Sequence, residues 1–115
     1  ISIWGISRKL FTNKRLKPKL FLVMKFKILI EYCPGCRWLL RSSWMAQEIL
    51  TTFENEINEV TLKPCKDKTG VFQISCNQEL IWCREIDKGF PAIKELKQRI
   101  RDFVSPEKEL GHLDR

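Results

Sequence analysis

The segment that most restricts the fold is an apolar, β-like run that leads directly into two cysteines and then into an amphipathic stretch. Phe26-Lys27-Ile28-Leu29-Ile30-Glu31-Tyr32 favours a strand, Cys33-Pro34-Gly35-Cys36 follows it, and residues 37–54 carry apolar side chains at helical spacing with neither Gly nor Pro. A strand, a CxxC turn and a helix in this order suggest thiol chemistry. The free N–H groups and the positive dipole end of a helix N-terminus stabilise a thiolate, and Arg37 and Arg41 add positive charge nearby. Two intervening residues bring the sulfurs within disulfide reach, so one thiol can attack a substrate disulfide while the other resolves the mixed intermediate. Pro34 and Gly35 suit such a turn, one stiff and one permissive.

A CxxC is also half of a structural zinc site, which requires a second ligand pair at suitable spacing. The chain has no second CxxC: Cys65, Cys76 and Cys83 stand singly, and the only histidine is His112 in the tail. A redox dithiol is the leading interpretation of Cys33 and Cys36, with zinc binding and inert thiols as its rivals. The three single cysteines are expected as small buried apolar side chains. His112 is expected to be solvated or packed locally rather than to act as a general base.

The 115 residues carry 21 Lys and Arg against 14 Asp and Glu, a formal net charge of +7. Six of the bases (Arg8, Lys9, Lys14, Arg15, Lys17 and Lys19) lie in residues 1–23, which hold no acid, so 15 bases face the 14 acids in the remainder. That near-neutral part shows no basic stripe interleaved with aromatics, which argues against nucleic acid as a partner. Residues 20–30 are apolar but interrupted by Lys25 and Lys27 and too short to span a bilayer, so no membrane anchor is expected. The cysteine count is odd and there is no apolar signal segment with a small-residue cleavage site, so a reducing cytoplasm is the expected compartment. The first methionine is Met24. Residues 1–23 are therefore expected to be a basic extension, disordered or upstream of the true start, with a composition that also resembles a transit peptide. Residues 24–104 are expected as one domain and 105–115 as a tail.

Beyond the first helix, residues 58–63 alternate with Val60 and Leu62 on one face, and Pro64 and a polar loop to Gly70 follow. Residues 71–76 and 79–84 are β-rich and separated by Asn77-Gln78, the length of a tight hairpin turn. Pro91 opens a stretch with Ile93, Leu96, Ile100 and Phe103 on one face, expected to end before Ser105-Pro106. A right-handed βαβ unit extended by a hairpin gives the order βαβββα: an α/β sandwich with a mixed four-stranded sheet and two helices. Trp44 and Trp82 are expected in the core, while Trp38, two residues past Cys36, fits core or substrate groove equally. The Gly89-Phe90-Pro91 turn is expected to be structural, with Phe90 as the one residue suggesting partner contact.

Several separated segments resemble bacterial members of the selenoprotein W, T and H family: Tyr32-Cys33-Pro34-Gly35-Cys36-Arg37-Trp38-Leu39-Leu40-Arg41, Trp44-Met45-Ala46-Gln47-Glu48, Gly70-Val71-Phe72, Gly89-Phe90-Pro91, Lys94-Glu95-Leu96-Lys97 and terminal Gly111-His112-Leu113-Asp114-Arg115. The resemblance covers roughly residues 25–115 and implies a small thioredoxin-like fold. Eukaryotic relatives often carry selenocysteine at the second motif position, which would make Cys36 the counterpart of the reactive selenium and Cys33 its resolving partner. Analogy with thioredoxin and glutaredoxin instead assigns attack to the first cysteine, and residue types alone do not choose. The chain departs from these relatives in Cys65, Cys76 and Cys83, and in Asn77-Gln78 where Asp-Gly is usual. Pro64 does not obviously fill the place of the cis-proline that the thioredoxin class sets opposite its dithiol.

The resemblance implies a thiol–disulfide redox protein cycling Cys33 and Cys36, with protein thiols or disulfides and glutathione as partners and no required metal or prosthetic group. The alternatives are a non-enzymatic, redox-regulated interaction module and a zinc-binding protein.

Overall fold

Strict alternation sets the first strand. In β1 (Phe26–Tyr32), Ile28, Ile30 and Tyr32 face the core, and Lys27, Leu29 and Glu31 occupy the opposite face. The computed structural model describes residues 26–108 and Leu110. The extension expected over residues 1–23, Met24, and the terminal segment with His112 lie outside the described residues.

Helix α1 (Leu39–Thr52) buries Ser42, Met45, Ala46, Ile49 and Thr52, one stripe at helical spacing. It is shorter at both ends than the apolar spacing of residues 37–54 suggests. Arg37 adopts φ 66°, Trp38 forms the N-cap, and Phe53 leaves helical geometry to bury its ring fully while its N–H still donates to the Ile49 carbonyl. The chain returns as β2 (Ile57–Pro64), parallel to β1 with Ile28 opposite Val60 and Tyr32 opposite Pro64. β3 (Phe72–Cys76) pairs antiparallel with β1, and β4 (Glu79–Cys83) antiparallel with β3, giving the sheet order β2-β1-β3-β4.

The hairpin turn works without glycine. Asn77 and Gln78 both take positive φ, 49° and 76°, as a two-residue primed turn requires. Asn77 is held from both sides: its Oδ1 accepts from the Lys27 N–H at 2.9 Å, and its own N–H donates to the Lys27 carbonyl at 3.0 Å. A register shift between Ile74 and Ser75 lets both Ile81 and Trp82 face inward, which breaks the alternation of β4.

A one-turn helix, α2 (Arg84–Asp87), follows β4 and adds to the two helices expected; α3 (Ile93–Val104) ends before Ser105 as expected. Leu96 and Ile100 of α3 join Met45, Ala46 and Ile49 of α1 over Ile28, Ile30, Phe72 and Ile74 in one continuous core. Between the helices the buried Lys97 ammonium meets Glu48 at 2.9 Å. Phe103, expected on the apolar face, is 38% exposed and meets Phe26 edge-on at 5.8 Å. Trp82 is in the core as expected. Trp44 is not: it is 46% exposed, because α1 turns it away from the Met45–Ile49 stripe. No described helix is long and apolar enough to cross a membrane.

Candidate functional site

The strand directions gather the chemistry at one end of the sheet. β1, β2 and β4 run the same way and β3 runs against them, so the residues after β1, β2 and β4 and the start of β3 meet at a common edge. These positions hold Cys33 to Cys36, Cys65, Cys83 with Arg84, and Phe72. The carboxyl ends of parallel strands are the usual place for a site in such sheets.

Cys33 and Cys36 form a disulfide, their Cα atoms 5.4 Å apart. Cys33, following directly on β1, is only 3% exposed, whereas Cys36 is half-buried on the turn. The turn closes through the Arg37 N–H, which donates to the Pro34 carbonyl at 3.1 Å. Its left-handed residue is Arg37, at φ 66°, and not Gly35 as the sequence suggests. Holding a non-glycine residue there costs about 1–2 kcal/mol. Space does not require a glycine at 35 either, since a Cβ at that position would meet nothing within 4 Å. Because the N-cap is Trp38, Cys36 lies outside the first turn of α1, where the dipole's influence is already declining.

An aromatic and cationic cluster adjoins the motif. Trp38 meets Phe90 edge-on with centroids 4.8 Å apart, and Phe90 leans on Phe72 at 4.8 Å. The Arg41 guanidinium lies 4.2 Å from the Phe90 centroid, and that of Arg84 lies 5.0 Å from Trp38. Trp38 is thus neither simply core nor free groove; it is the half-buried link between the CxxC turn and Phe90. The segment carrying Arg84 and Phe90 is tied down by Asp87 and Trp82. Asp87 accepts from the Cys83 N–H and from Arg99, both at 3.0 Å, while the Trp82 indole N–H donates to the Gly89 carbonyl at 2.8 Å. The Cys83 N–H, and after it Arg99, hold the Asp87 carboxyl below its ordinary value. Arg99 also donates to the Ile81 carbonyl at 2.9 Å and covers the Trp82 ring at 4.2 Å.

The three single cysteines have different surroundings. Cys76 fits the expectation of a buried apolar thiol: it is fully buried at the far end of β3, and burial pushes its thiol up to about 11. Cys83 is half-buried and lies opposite Gln73, while Cys76 lies opposite Glu79, so the two are not cross-strand neighbours. Cys65 departs from the expectation. It is half-buried, its N–H donates to the Tyr32 carbonyl at 2.7 Å, and it shares a cavity of about 420 Å³ with Cys33, Pro34, Gly35, Cys36, Lys66, Lys68 and Thr69. The signal for it lay in strand register: pairing β2 with β1 so that Pro64 faces Tyr32 brings the end of β2, and Cys65 after it, to the start of the CxxC turn. Among the described residues, no group of three or more His, Cys, Asp or Glu side chains is arranged to hold a metal ion.

The family model of the Rdx family matches residues 27–102. The chain belongs to the Rdx family. Two crystal structures resemble this Rdx protein closely. One, of a protein from Bordetella parapertussis, is 49% identical with a TM-score of 0.67, over 70% of this chain and 100% of that one. The other, of a selenoprotein W-related protein from Vibrio cholerae, is 48% identical with a TM-score of 0.66, over 71% of this chain and 100% of that one. No curated protein matches the chain. In this Rdx protein the CxxC pair occupies the end of β1, and the family together with that pair supports a redox-type function.

Proposed function

We propose that this chain is a thiol–disulfide exchange protein in which Cys36 reacts with the substrate and Cys33 resolves. The observation that carries this division of labour is the difference in exposure across the motif. Cys33 is 3% exposed and packed at the end of β1, whereas Cys36 is half-buried on an open turn whose Gly35 leaves the approach clear. An external disulfide reaches only the more open sulfur.

In the reduced protein the Cys36 thiolate attacks a substrate disulfide, forms a mixed disulfide and expels one substrate thiolate. The Cys33 thiolate then attacks the Cys36 sulfur and expels the second, so two electrons leave the protein and the Cys33–Cys36 disulfide remains. A small thiol such as glutathione, or a protein dithiol, reverses the sequence. Arg37 in the turn, with Arg41 and Arg84 on the adjoining Phe90 and Trp38 rings, adds positive charge on this side of the motif, which favours carboxylate-bearing thiols such as glutathione and acidic peptides. The cytoplasm, with its glutathione pool, suits such a cycle.

The test is a titration of the full chain in glutathione redox buffers, read by intact mass and peptide mapping. A reversible Cys33–Cys36 bond is expected, with glutathione trapped on Cys36 in Cys33→Ser and little on Cys33 in Cys36→Ser. Absence of both bond and adduct across biological potentials refutes the proposal. Exposed apolar side chains on α1, Leu40 at 82% and Trp44 at 46%, favour a second reading as a redox-regulated interaction module. Partner association that follows the oxidation state of the motif, without turnover of disulfide substrates, would select it.

A further inference from the structure

We infer that Cys65 is a third exchanging thiol of this site, able to take over Cys33 from Cys36. The inference rests on the proposed dithiol function and extends it. Its ground is the convergence of three sulfur-bearing residues at the ends of two hydrogen-bonded parallel strands.

Tyr32 and Pro64 are the last paired residues of β1 and β2, and the closing rung of their ladder is the Cys65 N–H, which donates to the Tyr32 carbonyl at 2.7 Å. Cys33 and Cys65 are therefore the first residues past the ends of the two strands, with the Cys65 N–H bonded to the carbonyl that precedes Cys33. Neighbouring strands lie about 4.7–4.9 Å apart, inside the Cα separations of about 4.4–6.8 Å that a disulfide accepts. Both residues line the 420 Å³ cavity that Cys36 shares. Cys33 is nearly closed to solvent, so an external thiol meets Cys36 first, whereas a thiol already held just past the end of β2 approaches Cys33 from within the protein.

The step balances without an added oxidant. Cys65 loses its proton to water and its thiolate attacks the Cys33 sulfur. The Cys33–Cys65 bond forms as the Cys33–Cys36 bond breaks, and Cys36 leaves as a thiolate that is free to take up a proton. The protein remains oxidised by two electrons throughout. The consequence is a change of mechanism: with Cys33 held by Cys65, a substrate captured on Cys36 has no internal resolving partner and waits for an external thiol. The site then works through one thiol rather than two. Lys66 and Lys68, which line the same cavity, give that thiol an anionic partner class such as glutathione.

The experiment equilibrates the full chain, wild type, Cys65→Ser and Cys36→Ser, with mixtures of oxidised and reduced glutathione, quenches in acid, alkylates, and maps the disulfides by mass. In the wild type a Cys33–Cys65 bond is expected in molecules whose Cys36 is alkylated or carries glutathione, and both signals are expected to disappear in Cys65→Ser. Cys36→Ser is expected to close Cys33–Cys65 as its main bond. A wild-type map indistinguishable from that of Cys65→Ser overturns the inference, and this comparison does not depend on Cys36→Ser folding. A reversible Cys33–Cys36 bond without any Cys33–Cys65 bond removes only the third thiol; absence of the Cys33–Cys36 bond itself removes the dithiol function and this extension with it.

Discussion

Cys76 offers a quantitative check on the packing of the sheet. It is fully buried at the end of β3 remote from the CxxC, and burial raises its thiol from 9.0 to about 11. As pH rises past 9.0 the unfolded chain gives up this proton first, so the thiol's contribution to stability is whole below pH 9 and is lost as pH climbs through 11. That difference corresponds to about 3 kcal/mol in all, of which about half is gone at pH 10. The assay is urea unfolding of the reduced full chain, wild type and Cys76→Ala, at pH 7 and pH 10. Tyrosine and lysine titrate in both proteins and cancel in the difference. The wild type is expected to lose about 1 kcal/mol more than Cys76→Ala between the two conditions. Equal losses would refute the placement of this thiol in a dry core. Iodoacetamide gives an independent reading: at pH 8 Cys76 holds about a hundredfold less thiolate than a thiol at 9.0, so its labelling is expected only on unfolding.

Asp87→Asn removes a carboxylate held below its ordinary value, whose contribution is present above pH 3.8 and fades as pH falls. The variant is expected to lose about 1 kcal/mol at pH 7, allowing for solvent at this partly exposed pair, and to show a shallower acid-side decline in Tm from pH 7 to pH 3. Arg37→Gly relieves a left-handed residue worth about 1–2 kcal/mol against about 0.5–1 kcal/mol of glycine entropy; urea midpoints are expected to stay level or rise. Gly35→Ala places its methyl in open space and is expected to raise stability by about 0.4–1 kcal/mol while the Cys33–Cys36 bond still forms in peptide maps. Phe90→Ala strips ring contacts from Trp38 and Phe72 and is expected to cost about 2 kcal/mol, less than a fully buried phenylalanine, with a red-shifted tryptophan emission as Trp38 meets water.

Short-range pattern was legible along the chain. Alternation marked β1 and the hairpin strands, helical spacing marked the stripes of α1 and α3, and the CxxC between β1 and α1 marked the motif and the family. Local pattern also misled where a position is decided by its neighbours in space. Gly35 looked like the conformationally special residue of the turn, yet the closing Pro34–Arg37 bond puts the left-handed strain on Arg37. Trp44 looked like core, yet the helix faces Met45 and Ile49 inward and leaves its indole at the surface. Ile81 and Trp82 could not both be assigned inward by a period of two; the register shift at Ile74 and Ser75 allows it. The cysteines separate the two levels most clearly. Cys33 and Cys36 are three residues apart, and chain geometry brings them together in any fold that turns there. Cys65 lies far along the chain, and only the parallel register of β2 on β1 brings it to the cavity that the motif lines. That register follows from burying Val60 and Leu62 on the same side as Ile28 and Ile30, a long-range packing condition that one-dimensional spacing does not carry.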